Sequence, residues 1–506
     1  MSPPAAPESA RARSAASTPT AIRALNSKAA RACGVVLLLA AALELSPRLE
    51  RWHLWHRPVA VKSEQVTEVA PEPSVGVGRL EQETRTRSEL AQPEVVEAPV
   101  AKALPPGAAS DDFVVPRADA EAPPVPIVDE QHSLDPFYAA LAQTFKSHEA
   151  AATTGPLTRI TYFGDSLVAS DYVTGTLRRL LQDRFGDAGH GFVLMADAWP
   201  SYFHNDVFRF ASRGFDVSRI VGPYAADGLY GLGGVSFLAP PGVRARFGTA
   251  IEGKHGRAVS RFRVLYLAQP NGGSLQINLD GKEYGNVDTS AAVKGSGTYD
   301  VTTVDGEHLL EIVTKGGMTR TFGVILERDT PGVVLDAIGI QGARIRFLDK
   351  QDDQHWAEQL TLRGSNLLVY EFGANESGDG FAYSMPDYHD TMRAVLLQGK
   401  RALPNAGCLV LAAMDRARKE NDVLVSLPII PHIVKEQEAT AKELGCAFFN
   451  TYEAMGGKGS MAKWFRRGLG QADFTHPTGY GAQVMGNWVY RALMQGYDAW
   501  LGRKQP

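Results

Sequence analysis

The sequence predicts an α/β protein whose doubly wound, five-stranded parallel sheet is interrupted by a β-sandwich. Three observations carry this prediction. First, five short apolar runs alternate with stretches of helical spacing: Ile160-Thr161-Tyr162-Phe163, Leu335 to Ile340, Leu367 to Phe372, Cys408 to Ala412 and Cys446 to Asn450. Near-continuous apolar runs of this length are how strands buried on both faces read. Second, between about Trp199 and Pro331 the helical spacing disappears. Short alternating runs separated by glycine-rich turns replace it, such as Arg261 to Leu267, Ser274 to Leu279, His308 to Val313 and Thr321 to Leu326. Seven or eight short strands are expected there, with Asp280-Gly281 and Asp305-Gly306 as hairpin turns. Third, parallel-type runs resume directly after this region, which makes it an insertion within the α/β domain.

Composition narrows the function classes. A chain of 506 residues with net charge −4 offers no basic block for nucleic acid. No Gly-x-x-x-x-Gly-Lys loop occurs, no histidine or cysteine pair has metal-ligand spacing, and no cofactor or metal is expected. Cys408 and Cys446 each open an apolar run, and the favoured reading is two buried free thiols.

Residues 1–57 carry Arg11, Arg13, Arg23, Lys28 and Arg31 ahead of an apolar run from Ala32 to Leu43. This pattern is expected of an export signal. The run is shorter than the roughly 20 residues that span a bilayer comfortably. Glu44-Leu45-Ser46-Pro47 offers no small-x-small cleavage site, so cleavage and an uncleaved signal-anchor both stay open. The expected location is the periplasm or cell envelope, free or tethered to the inner membrane. Residues 58–133 read as a Pro/Glu/Ala-rich disordered linker, marked by Pro71-Glu72-Pro73, Pro105-Pro106 and Pro123-Pro124-Val125-Pro126. Folded sequence is expected from Leu134. Residues 134–198 form the first part of the α/β domain: a helix from Pro136 to His148, a strand at 159–163, and a helix burying Leu177, Leu180, Leu181 and Phe185. Residues 199–332 form the sandwich. Residues 333–506 complete the α/β domain, with helices around Tyr388 to Gly399 and Ile433 to Leu444.

In such a sheet, sites form at the carboxyl ends of the strands. Gly164-Asp165-Ser166 ends the first strand and presents a serine hydroxyl there. Asp473-Phe474-Thr475-His476 precedes the last helix and supplies a base with a carboxylate three residues earlier. This is the Ser-His-Asp division of labour of acyl transfer. The backbone N–H groups of Ser166 and Gly342 and the side-chain amide of Asn375 are the candidate oxyanion donors. Simple turn roles for Gly342 and Asn375 remain alternatives, and Glu376 reads as a solvated loop charge. His190 reads as a turn histidine. Met414-Asp415-Arg416 is either a substrate contact or a surface ion pair. Trp199, Tyr202, Phe203 and His204 are either a sugar-stacking cluster or a core at the domain junction.

Ser166, Gly342, Asn375 and His476, with Asp473, resemble the four blocks of the SGNH (GDSL-type) hydrolase family. The likeness covers about residues 134–196 and 333–500, and it implies the flavodoxin-like SGNH fold. Gly164 to Tyr172, the Arg184 to Phe192 segment, the inserted strands and Trp464 before the last block are most similar to bacterial peptidoglycan O-acetylesterases, which carry an inserted carbohydrate-binding-module-like sandwich. This chain has Gly-Ala-Asn-Glu in the third block in place of the commoner Gly-x-Asn-Asp, and Leu167 where a histidine is typical. The resemblance implies an esterase that removes acetyl groups from an O-acetylated polysaccharide, with peptidoglycan foremost. A glycan O-acetyltransferase using the same triad, or a non-catalytic glycan-binding envelope protein, are the alternatives.

Overall fold

A computed structural model describes residues 123–504; the N-terminal apolar run and most of the Pro-rich stretch lie outside the described residues. Five parallel strands form the central sheet: Leu157–Gly164, Gly332–Gly339, Leu367–Glu371, Gly407–Leu411 and Ala447–Phe449. Leu157–Gly164 lies between Gly332–Gly339 and Leu367–Glu371, and Gly407–Leu411 and Ala447–Phe449 follow outward from the latter. A short strand, Ile127–Val128, adds antiparallel to the outer edge. Ordered structure therefore begins ahead of Leu134, where the polar, proline-rich composition had suggested linker. The edge strand needs only two residues of backbone pairing, too few to leave a pattern in the sequence.

Side chains along these strands alternate between two apolar clusters, as pleating requires. Val369, Leu409, Leu411, Ala447 and Phe449 join one cluster with the helices Asp135–Glu149, Tyr172–Phe185 and Gly479–Lys504. Leu368, Tyr370, Val410 and Phe448 join the other with Asp353–Arg363, Met385–Ala402 and Ile430–Glu443. Local signals set the helix ends. Asp352 accepts from the His355 N–H at 2.8 Å and caps one helix, and Gly364 (φ 63°) ends it. Pro386 sits in the first turn of Met385–Ala402, where its missing N–H costs nothing.

Residues between the first two parallel strands form antiparallel sheets of five and six strands. Phe247, Ile277 and Ile312 from one, and Phe237, Phe262 and Val324 from the other, share the second apolar cluster. Asp280-Gly281 makes the expected hairpin turn between Ser274–Leu279 and Lys282–Asp288. Asp305-Gly306 does not: Gly295–Gly306 pairs within the six-stranded sheet and Leu309–Lys315 within the other, so the chain crosses between sheets there. Gly191–Leu194 pairs with Thr319–Glu327, so antiparallel pairing starts ahead of residue 199.

Cys408 and Cys446 are joined in a disulfide, which corrects the free-thiol reading. Leu409 and Ala447 are partners across two parallel strands, so the residues just before them stand side by side with Cα atoms 4.8 Å apart. That spacing is within bridging range. The register that creates it joins positions far apart in the chain and cannot be read from either run alone.

A buried ionic network ties the antiparallel sheets to the parallel one. Glu327 accepts from Arg159 Nε at 2.7 Å and from Arg363 Nη1 at 2.5 Å, and also from Arg261. Arg363 Nε donates to Asp336, whose other oxygen accepts from the Phe192 N–H at 2.8 Å. Burial alone would raise the Glu327 carboxyl, but Arg363 and Arg159 outweigh it and hold the group well below the usual range. With a lowered folded-state pKa, this stabilisation is present at neutral pH and is lost as pH falls through the acid range. Glu327→Ala leaves Arg363 buried without this partner. The expected cost is about 3–5 kcal/mol at pH 7, read by urea unfolding, and smaller at pH 3.

Candidate active site

The strand Leu157–Gly164 ends in a tight approach to its neighbours. A Cβ on Gly164 would lie 2.3 Å from Val168 Cγ2, and one on Gly339 would lie 1.9 Å from the Ala169 backbone nitrogen. Two glycines at adjacent strand ends thus let the short helix Ser166–Ala169 lie against the sheet edge. Asp165 caps that helix, its Oδ1 accepting from the Leu167 N–H at 3.0 Å. Leu167, at the position where the resembling family has histidine, is buried among apolar side chains.

Ser166 Oγ lies 2.9 Å from His476 Nε2, and His476 Nδ1 lies 2.6 Å from Asp473 Oδ2. An ionised carboxylate only accepts, so Nδ1 carries the proton and Nε2 is left to accept from the serine hydroxyl. Asp473 also accepts through Oδ1 from the N–H groups of Thr475 (2.9 Å) and His476 (3.0 Å). The turn that closes this loop puts Phe474 at φ 54°, a left-handed conformation unusual for a bulky residue. Burial works against ionisation of Asp473, but its hydrogen bonds from His476 and the two N–H groups prevail and keep the carboxyl below its ordinary range.

Asn375 Nδ2 donates to the Ala343 carbonyl at 2.8 Å and, more weakly, to Asp165 Oδ2 at 3.3 Å. It therefore stands beside the segment that carries Gly342. Gly342 has φ 75° and open space where a Cβ would point, so backbone conformation, not crowding, requires glycine there.

Three charged side chains brace these segments. Glu376 is fully buried and so is not a solvated loop charge: its carboxylate accepts from the Ile345 N–H at 2.9 Å and the Gly373 N–H at 3.0 Å. It links the loop after Gly342 to the loop holding Asn375, and burial pushes it up to about 7. Arg416 is half-buried and forms no salt bridge among the described residues, so it is not a surface ion pair. Its guanidinium donates to the Ala374 carbonyl, to Ser377 Oγ at 2.7 Å and to Thr475 Oγ1 at 3.1 Å, joining the Asn375 loop to the Asp473–His476 turn. Burial lowers its pKa, and Asp165, Asp473 and Glu376 partly offset that. Asp165 is the third: burial raises it to about 6.

The remaining candidates belong to the interior. His190 and His204 are buried with ring nitrogens 3.1 Å apart, so His190 is more than a turn histidine. Trp199 and Tyr202 are buried edge to face, which makes that cluster a junction core. Trp464 is buried against Trp488. Sequence reasoning missed Glu371, the pairing partner of Gly164 beneath the serine turn. A charge at the end of an apolar run was its only signal. Burial raises its carboxyl to about 8, and the Tyr162 hydroxyl, donating at 2.8 Å, offsets part of that.

No family model matches the chain, and no curated protein matches it in sequence. Among solved structures, a peptidoglycan O-acetylesterase superposes with a TM-score of 0.62 at 21% identity, over 74% of this chain and 99% of that one. The chain thus shares the fold of that esterase. A family two carbohydrate esterase from Clostridium thermocellum, in complex with cellohexaose, gives 0.26 at 12% identity over 58% and 100% of the two chains. An acetylxylan esterase from Geobacillus stearothermophilus gives 0.25 at 16% identity over 32% and 73%. The last two superpositions are too loose to add to the first.

Two outcomes are expected, one from the Arg416 brace and one from the buried Glu371. Arg416→Ala should lower kcat about 10- to 100-fold with little change in KM, because the two loops lose their common tie. Arg416→Lys should recover part of that loss in steady-state kinetics. For Glu371, a raised folded-state pKa means that the folded chain holds a proton that the unfolded chain releases. Stability then declines with pH between the ordinary carboxylate range and about 8. Glu371→Gln should therefore match the parent near pH 5 and gain roughly 2–4 °C in Tm by pH 8, levelling off above.

Proposed function

We propose that this protein is an exported serine esterase that removes O-acetyl groups from a cell-envelope glycan, with peptidoglycan as the first candidate. The observation that carries the reading is the unbroken hydrogen-bonded chain from Ser166 Oγ through His476 to Asp473, at 2.9 and 2.6 Å. In this reading Ser166 Oγ attacks the acetyl carbonyl as its proton passes to His476 Nε2, and Asp473 steadies the resulting imidazolium. The oxyanion takes the N–H groups of Ser166 and Gly342 and one N–H of Asn375. The weaker 3.3 Å contact of Asn375 to Asp165 is the one it can give up. Collapse expels the sugar oxygen, which receives the proton from His476. Water, activated by the same histidine, then attacks the acetyl-serine and releases acetate.

Several features support the finer parts of the reading. His476 and Asp473 side chains are 36% and 45% exposed, so water has access to an acyl-enzyme, which favours hydrolysis over transfer to a sugar. The Cys408–Cys446 disulfide fits an oxidising compartment, in keeping with the charged and apolar N-terminal segment. The likeness in fold to a peptidoglycan O-acetylesterase supports the substrate class. The two antiparallel sheets, apart from the strand Gly191–Leu194 that pairs onto one of them, would form a sandwich-like glycan-binding domain of residues 199–332 beside the hydrolase parts, 134–198 and 333–506.

Ser166→Ala is expected to abolish acetate release from both p-nitrophenyl acetate and O-acetylated peptidoglycan, with the circular dichroism spectrum and Tm of the parent retained. Undiminished turnover by the purified variant would sink the assignment.

A further inference from the structure

The two segments that leave Gly342 and Asn375 carry an outward-facing surface with no part in the chemistry above. They are the 3₁₀ turns Ile345–Lys350 and Glu376–Ala382, tied together where Arg344 Nη2 donates to Asp379 at 2.9 Å. A row of alternating rings and cations runs along them: Tyr224, Lys350, Phe347, Arg346 and Tyr383. Lys350 Nζ lies 4.5 Å from the Tyr224 ring and 5.5 Å from that of Phe347. The Arg346 guanidinium lies 5.4 Å from the Phe347 ring and 5.8 Å from the Tyr383 ring. Tyr224 comes from the antiparallel region and is 57% exposed, and Arg346 and Lys350 are exposed.

Neither cation is paired directly with a carboxylate, and only Arg346 lies near enough to one, Asp379, to lower its pKa. Among the described residues neither Arg346 nor Lys350 forms a salt bridge or donates a hydrogen bond, whereas the neighbouring Arg344 is held by Asp379. Their charged heads lie over aromatic faces, which favours these positions electrostatically without committing the N–H groups to a protein acceptor. Tyr224 is exposed and Phe347 and Tyr383 are half-buried against the core, and such rings can offer a face to the C–H surfaces of sugars. Free guanidinium and ammonium groups between them add what a neutral glycan cannot use, an electrostatic match to carboxylates.

We infer that this row is the extended binding surface for a polyanionic glycan, with sugar rings on Tyr224, Phe347 and Tyr383 and pendant carboxylates on Lys350 and Arg346. The inference rests on the esterase reading for its role along the segments that leave Gly342 and Asn375, and it narrows the substrate from any acetylated polysaccharide to one bearing carboxylates at close intervals.

The test separates binding from chemistry. De-O-acetylated peptidoglycan fragments, which cannot be turned over, are titrated into the full chain by calorimetry. They are used once with free carboxylates and once with the carboxylates converted to methylamides. Free-carboxylate fragments are expected to bind about tenfold more tightly, with most of the difference lost at 0.5 M NaCl. The Arg346→Ala/Lys350→Ala double variant should bind both forms alike, and Tyr224→Ala should weaken both. Equal binding of the two forms by the parent, or a preference that survives in the double variant, overturns the inference. Hydrolysis of p-nitrophenyl acetate is followed in parallel. A preserved carboxylate preference without any ester hydrolysis would uphold the surface and remove the esterase reading instead.

Discussion

The site depends on one close backbone contact. The short helix that begins at Ser166 lies so near Gly339 that a single methyl group there would fall 1.9 Å from a backbone nitrogen. Gly164, its partner in the parallel register, makes the same allowance on the strand that delivers the serine. Parallel pairing brings the carboxyl ends of adjacent strands to one edge, and the two glycines let the chain turn at that edge without climbing over it. The placement of Ser166 relative to the loops after Gly339 and Glu371 follows from this contact.

From that anchor the site is assembled by side chains that reach between loops. Glu376 holds the N–H groups on either side of the Gly342 and Asn375 segments, Asp165 reaches Asn375, and Arg416 reaches both Asn375's loop and the histidine turn. Asp165 and Glu376 are buried and Arg416 is half-buried, so their hydrogen bonds act in a lowered-dielectric setting where they are stronger and where losing a partner costs more. The raised carboxyl pKa values of Asp165, Glu371 and Glu376 share one cause, burial at the floor of a site whose upper side meets water.

Much of this architecture was legible in the sequence because it is written locally. Ser166, Asp473 and His476 lie in short motifs, and the apolar runs around them have the lengths and spacings of buried parallel strands. What could not be read is what depends on register between distant segments. Cys408 meets Cys446 only because two strands align in step. Glu376 looks like any loop charge until Ile345 and Gly373 are brought to it. Arg416 has no sequence neighbour that reveals its partners, the nearest of which are 39 to 59 residues away. Asp305-Gly306 carries a hairpin dipeptide, yet the competing demand of two sheets for the flanking strands decides its conformation.

The two residues read as base and orienting carboxylate of the proposed triad share a single four-residue turn, and this has a mechanical consequence. Asp473 and His476 are bonded within the turn, while Ser166 belongs to another part of the chain. A displacement of the turn would leave the acid–imidazole bond intact and change only the gap to the serine oxygen. The alignment of the proposed triad thus reduces to one degree of freedom, the position of the turn, and Thr475 is the point at which Arg416 holds it.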